Sequence, residues 1–193
     1  MTPPPAIAIA THQRAANTLE SGRVARYHAA PSVAPQTVGL HSWGVAVLAV
    51  YITGGAPSAA LLQQAIMHDA AEIFIGDVPF TVKRDHPEVK RRFRELEIHI
   101  HDFLVMGAVS LDPHDEAVLK VCDTLEGLIW CRKTEVAGNG FVTGRWVQAL
   151  DYALKKFGSP TIDPENDRTI PAALFQQEVN RAHLLADAWA PTT

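Results

Sequence analysis

The sequence is poor in the residues that anchor several common functions. It has two cysteines in 193 residues, Cys122 and Cys131, and no C-x-x-C pair. That excludes a disulfide framework or a cysteine zinc ribbon and fits a reducing, cytoplasmic setting. Charge of one sign is also scarce, with 17 basic against 21 acidic residues and a net charge of −4. Wholesale capture of nucleic acid or of an anionic membrane needs a stronger positive field, so neither partner is expected. The opening MTPPPAIAIATH has no basic n-region and only a short Ala/Ile run, so it reads as neither signal peptide nor membrane anchor. Residues 1–15 are expected to form a flexible tail. Strand signals are sparse as well.

What remains is helical periodicity. Helices are expected at roughly 37–53, 58–75, 87–107, 114–135, 139–158 and 171–189, with ends uncertain by about two to four residues. TGGAPS (Thr53 to Ser58) separates the first two, and GDVP turns the chain after Ile75. With no repeat and no long linker, residues 1–193 read as one all-α domain.

The dipeptide His-Asp occurs three times, at 68–69, 101–102 and 114–115. Context separates them. His68 and Asp69 lie in AIMHDAAEIFIGD, a helix made apolar by Leu61, Leu62, Ala65, Ile66 and Ile73, and Glu72 shares their face at helical spacing. An unpaired buried carboxylate costs several kcal/mol, so Asp69 needs a cationic partner or a metal ion. His101-Asp102 follows a strongly charged stretch and lacks the following Glu. His114-Asp115 follows Pro113 and reads as a helix start. Both are expected to be solvated or capping residues.

Two further groups stand in apolar helices, His41 in VGLHSWGVAVLAVYI and Asp123 in AVLKVCDTLEGLIW. Each alone could be a satisfied core or surface residue. Together His41, His68, Asp69 and Asp123 offer two imidazoles and two carboxylates from separate helices, a set suited to a borderline divalent ion. The basic stretch KRDHPEVKRRFR (Lys83 to Arg94) also carries acids and is followed by Glu95 and Glu97, so a solvated helix face is expected.

The order His41, His68-Asp69, Asp123 resembles the HD-domain metal-dependent phosphohydrolases. HDAAEIFIGDVPFTVK (His68 to Lys83) is similar to the H-D-x-x-E-x-x-x-G-D-x-P-x-x-x-K segment of their 5′-deoxynucleotidase branch. GRVARYH (Gly22 to His28) resembles that branch's Arg-aromatic segment, with Tyr27 where Trp is common. The resemblance covers about residues 20–160. Only 54 positions separate Asp69 from Asp123, which looks closer to compact phage-type dNTP triphosphohydrolases, the dATP enzymes included.

The resemblance implies an HD-domain helical bundle with a divalent ion (Mn, Co, Zn, Fe or Mg) held between facing helices by His41, His68, Asp69 and Asp123. It implies Glu72 as the catalytic carboxylate, Arg26 as the phosphate-gripping cation and Asp77 as the group that senses the deoxyribose. Tyr27 and Ala29 would line the base pocket, with Lys83 and Lys120 as further phosphate contacts. The expected activity is dNTP triphosphohydrolysis, with 5′-deoxynucleotidase action on dNMPs as the alternative and a non-catalytic nucleotide sensor as a third. Relatives of this kind generally associate, so a homo-oligomer is expected, and Trp146 and Trp189 would permit one.

Overall fold

The computed structural model describes residues 11–27, 36–104, 109–134, 140–158 and 172–188. Among these, every regular element is a helix: α1 Thr11–Ser21, α2 Val38–Ile52, α3 Ala59–Met67, α4 Glu72–Ile75, α5 Phe80–Asp85, α6 Pro87–Leu104, α7 Pro113–Lys133, α8 Gly140–Gly158 and α9 Ala172–Ala188. The nearest thing to a strand is an isolated antiparallel bridge between Ala25 and Thr37. The all-α expectation therefore holds. None of the described helices is long and apolar enough to cross a membrane.

Short polar residues start the central helices. Thr37 Oγ1 accepts from Leu40 N at 3.2 Å, Ser58 Oγ from Leu61 N at 2.9 Å, and Asp112 Oδ1 from Asp115 N at 2.8 Å. Each such cap is worth about 1 kcal/mol. Pro113 occupies the first turn of α7, where its missing N–H costs nothing.

Helices α2, α3, α7, α8 and α9 share one core. Val45, Leu48, Ala49 and Ile52 of α2 meet Leu61 and Ala65 of α3, Val118, Val121, Leu125 and Leu128 of α7, Leu150 and Leu154 of α8, and Ala182 of α9. A smaller cluster around Ala70 and Leu104, with Ile73, Ile100 and Phe103, seats α6 against the end of α3. His101 Nε2 lies 3.0 Å from the Met67 carbonyl across that junction. It is a bridge between elements, where a solvated residue was expected.

Three other expectations change. A helix begins at Thr11, inside the segment read as tail, while residues 1–10 lie outside the described residues. The basic stretch contains the short helix α5, and its arginines do form a solvated face on α6, where Arg91 and Arg92 pair with Glu88 and Glu95. The helix expected over 58–75 is broken. Its last α-type bond runs from His68 N to Gln64 O, after which Ala70 N bonds Met67 O and Glu72 N bonds Asp69 O. These tighter turns through His68–Ala71 set the pair apart from α4. Gly76, with φ of +70°, then ends α4 in a conformation that a side chain would resist and turns the chain into Asp77.

Candidate metal and active site

The site lies where α2, the α3–α4 turn and α7 meet. His41, one turn into α2, is fully buried. Its Nε2 lies 3.3 Å from His68 Nε2, 3.3 Å from Asp123 Oδ1 and 3.6 Å from Asp69 Oδ2. Asp69 Oδ2 is also 3.4 Å from His68 Nε2. Donor atoms of His41, His68 and Asp123 all fall within 4.8 Å of one another. The four residues expected from three helical segments thus converge on one point.

Both rings turn the same kind of atom toward that point. His68 Nδ1 is 3.1 Å from the Ala65 carbonyl, and His41 Nδ1 is 2.5 Å from Glu126 Oε2. A carbonyl and a carboxylate only accept, so each Nδ1 carries the hydrogen and points it away from the cluster. What faces inward is two imidazole Nε2 atoms and two carboxylates, a set of acceptors that calls for positive charge. His41 registers that demand. Burial works against its protonation, yet Asp123 and Glu126 outweigh it and hold the ring at about 9. This is the donor chemistry of a divalent-ion site, with carboxylate and carbonyl orienting the rings from behind. The residues present therefore fit such an ion.

Cations surround the acids. Arg26, 7% exposed, places Nη1 2.5 Å from Asp69 Oδ2, and Lys120 Nζ is 2.9 Å from Asp123 Oδ2. Burial alone would raise both aspartates. Instead His68, Arg26 and His41 keep Asp69 below the usual carboxylate range, and Lys120 and His41 keep Asp123 well below it. Arg26 Nε is buried and makes no hydrogen bond, which leaves a donor for an anion. Glu72 differs in sign: burial, with Asp69 behind it, pushes its carboxyl up to about 8, and its Oε2 is buried without a partner.

Asp77 sits beside this group and accepts from Tyr27 N at 3.0 Å. Tyr27 is the one described residue other than glycine with a positive φ, at 58°. Such a backbone costs on the order of 1–3 kcal/mol and needs external support, which the Asp77 bond supplies. It aims the Arg26 guanidinium, 5.8 Å from the Tyr27 ring, into the site. Lys83 pairs with Glu97 at 2.9 Å, so its ammonium is engaged on α6. Ala29 lies outside the described residues, as does Trp189, and the Trp146 side chain is likewise not described.

Sequence reasoning passed over Glu126, Gln36 and Gly44. Glu126 is buried, and its Oε1 accepts from Gln36 Nε2 at 2.7 Å. Gly44 makes room for it: a Cβ there would lie 2.6 Å from Glu126 Cγ. One signal was present, since Asp123-x-x-Glu126 repeats in an apolar helix the Asp69-x-x-Glu72 spacing that drew attention to Glu72.

The 5′-deoxynucleotidase YfbR-like family matches residues 18–108, which hold the Arg26 segment, His41 and the His68–Lys83 motif. The fold superimposes with a TM-score of 0.67 on the HD phosphohydrolase (DatZ) of Cyanophage S-2L, bound to dA and one catalytic Zn2+ ion. That likeness covers 90% of this chain and 96% of the other at 18% identity. The chain therefore has the fold of an HD phosphohydrolase. In sequence it is 29% identical over 133 residues to a 5′-deoxynucleotidase of Shewanella oneidensis, covering 61% of this chain and 67% of that relative. It is 31% identical over 123 residues to a dATP triphosphohydrolase of Salmonella phage PMBT28, covering 55% of this chain and 60% of the relative.

Proposed function

We propose that this HD-domain chain is a metal-dependent phosphohydrolase of deoxynucleotides, acting as a dNTP triphosphohydrolase of the dATP type. The observation that carries the reading is the convergence of His41, His68, Asp69 and Asp123 on one point, with the Nδ1 hydrogens of both rings turned outward. These four would hold a divalent ion of the Mn, Co, Zn, Fe or Mg group. When bound, the ion supplies Lewis acidity and neutralises phosphate charge.

The remaining steps belong to the chain's own side chains. Arg26 grips a phosphate through its unengaged Nε, and Lys120 adds a second positive charge at the other edge of the cluster. Glu72, held up at about 8, keeps a proton at neutral pH that it can pass to the leaving oxygen; once ionised, it can take one from the attacking water. Asp77 keeps one oxygen on Tyr27 N, leaving the other to accept from a deoxyribose hydroxyl. Water adds to the phosphorus next to the sugar as the sugar–phosphate bond breaks, which releases deoxynucleoside and triphosphate. Tyr27, together with Ala29, would bound the base pocket, and Lys83 would serve as a reserve cation if its pair with Glu97 opens.

The second reading, a 5′-deoxynucleotidase acting on dNMPs, is supported by the family matching residues 18–108 and by the Shewanella relative. A panel of the four dNTPs, four dNMPs and four NTPs, with Mn(II) or Co(II) and chromatography of products, separates the two. Triphosphate release from dNTPs is expected. Turnover of dNMPs with inert dNTPs would overturn the first reading in favour of the second, and no turnover of either would overturn both.

The protein is also proposed to work in the cytoplasm, where buried Cys122 and Cys131, not joined in a disulfide, suit a reducing medium, and as a homo-oligomer. Support for association comes from α2, which carries no Asp, Glu, Lys or Arg and exposes Leu40, Trp43, Val50 and Tyr51 on the side away from the core. A twofold axis could set that stripe against its own copy.

A further inference from the structure

We propose that Glu126, backed by Gln36, is a positioning residue that holds the His41 imidazole with its proton on Nδ1 and keeps Nε2 free to donate an electron pair. The inference rests on the metal-binding reading above and deepens it.

Three observations carry it. First, both Glu126 oxygens are engaged inside the protein, Oε2 with His41 Nδ1 at 2.5 Å and Oε1 with Gln36 Nε2 at 2.7 Å. A carboxylate fixed at both ends cannot rotate away, so the ring it faces is fixed in plane and in tautomer. Second, the backbone of α2 is shaped to admit it. Gly44 lies one turn beyond His41, and any larger residue there would strike the Glu126 side chain. Third, Gln36 is fully buried and faces two ways. Its side chain supports Glu126, while its main-chain carbonyl accepts from Arg26 N at 2.7 Å. The residue that steadies the His41 partner is therefore the same one that seats the Arg26 segment. His68 has no comparable side-chain support among the described residues, since its Nδ1 is held by the Ala65 carbonyl. The orientation of His41 is thus the part of the site that a side-chain substitution can alter without touching an inward-facing group.

The test is competition of the purified, metal-stripped protein with a chromogenic chelator for Zn(II), together with the visible absorption of the Co(II)-loaded form. Glu126→Ala is expected to weaken Zn(II) binding by about 10–100-fold and to change the Co(II) spectrum. Glu126→Gln is expected to retain parent-like Co(II) absorption and most of the affinity. Its amide oxygen can accept from His41 Nδ1, and its amide nitrogen can donate to Gln36 Oε1, a buried atom that now lacks a partner. That rescue separates positioning from plain loss of packing. Glu126→Ala with parent-like circular dichroism and unchanged Zn(II) affinity would overturn the inference. Should Glu126→Ala not fold, Gln36→Ala decides, with several-fold weaker Zn(II) binding expected and unchanged binding overturning the role. A parent protein that binds no Zn(II) would overturn the metal-binding reading as well, whereas parent binding matched by the variants would overturn the positioning role alone.

Discussion

Gly44→Ala would add a methyl group to α2 with its carbon 2.6 Å from Glu126 Cγ, 3.1 Å from Oε1 and 3.2 Å from Cδ. Carbon atoms pack at about 3.5–4.0 Å, so the overlap is roughly 1 Å against a side chain tied at both oxygens. Helix preference alone favours alanine over glycine by about 0.8–1.0 kcal/mol. Against this stand an overpacking cost of about 1–3 kcal/mol and, if Glu126 is pushed off His41, the loss of a charged hydrogen bond worth about 1.5–3 kcal/mol. With Glu126 displaced the unfavourable terms win, with a net loss of about 1.5–5 kcal/mol. For a chain of this size each kcal/mol moves the midpoint by about 2–4 °C, so Tm should fall by several degrees. Gly144→Ala supplies the control. It lies on the exposed side of α8, and an added Cβ there would meet no heavy atom within 4 Å. Only the helix preference acts, and Tm should rise by about 2–4 °C. Differential scanning calorimetry of both variants beside the parent checks the pair. If Gly44→Ala stabilises as much as Gly144→Ala, the notch is not a constraint on Glu126 and the reasoning fails.

The inward-facing acids and Glu72 should separate metal binding from turnover. Asp69→Ala is expected to lose both bound metal, measured by elemental analysis, and activity. It also strips the buried Arg26 of its ion-pair partner, a change that typically costs about 3–5 kcal/mol, so its Tm should fall as well. Glu72→Ala should keep parent metal content while turnover drops by about 10²–10⁴-fold; retained turnover would remove Glu72 from the reaction. On the outer side of α2, Trp43→Glu should convert an oligomer into monomers by light scattering without changing the far-ultraviolet spectrum, since Trp43 is 69% exposed. A parent chain that is itself monomeric would contradict the proposed association.

The large apolar helices were readable because their signal is local. A buried face repeats within α2, α7 and α8, and caps such as Thr37 and Ser58 mark where helices begin. Helices α1 and α5 carry no such face. α5 spans only six residues between Pro79 and Pro87, too short for a periodic signal. The break at His68–Ala71 is different again, because each residue there suits a helix and the tighter turns arise from tertiary packing. The candidate site was legible as a problem of cost, since His41, His68, Asp69, Glu72 and Asp123 are polar groups standing in apolar helices. Applied to the whole chain, that criterion also selects Glu126, which has no Lys or Arg three or four positions away on its own helix. It could not select Gln36, a neutral amide in a loop, whose need for a partner emerges only once Glu126 has been placed. Nor could it show that Asp77 supports a left-handed Tyr27, because a residue pinned by a contact 50 positions away leaves no local mark. Expensive groups announce themselves in a sequence, whereas the neutral residues that make them tolerable are found only by following each hydrogen bond to its end.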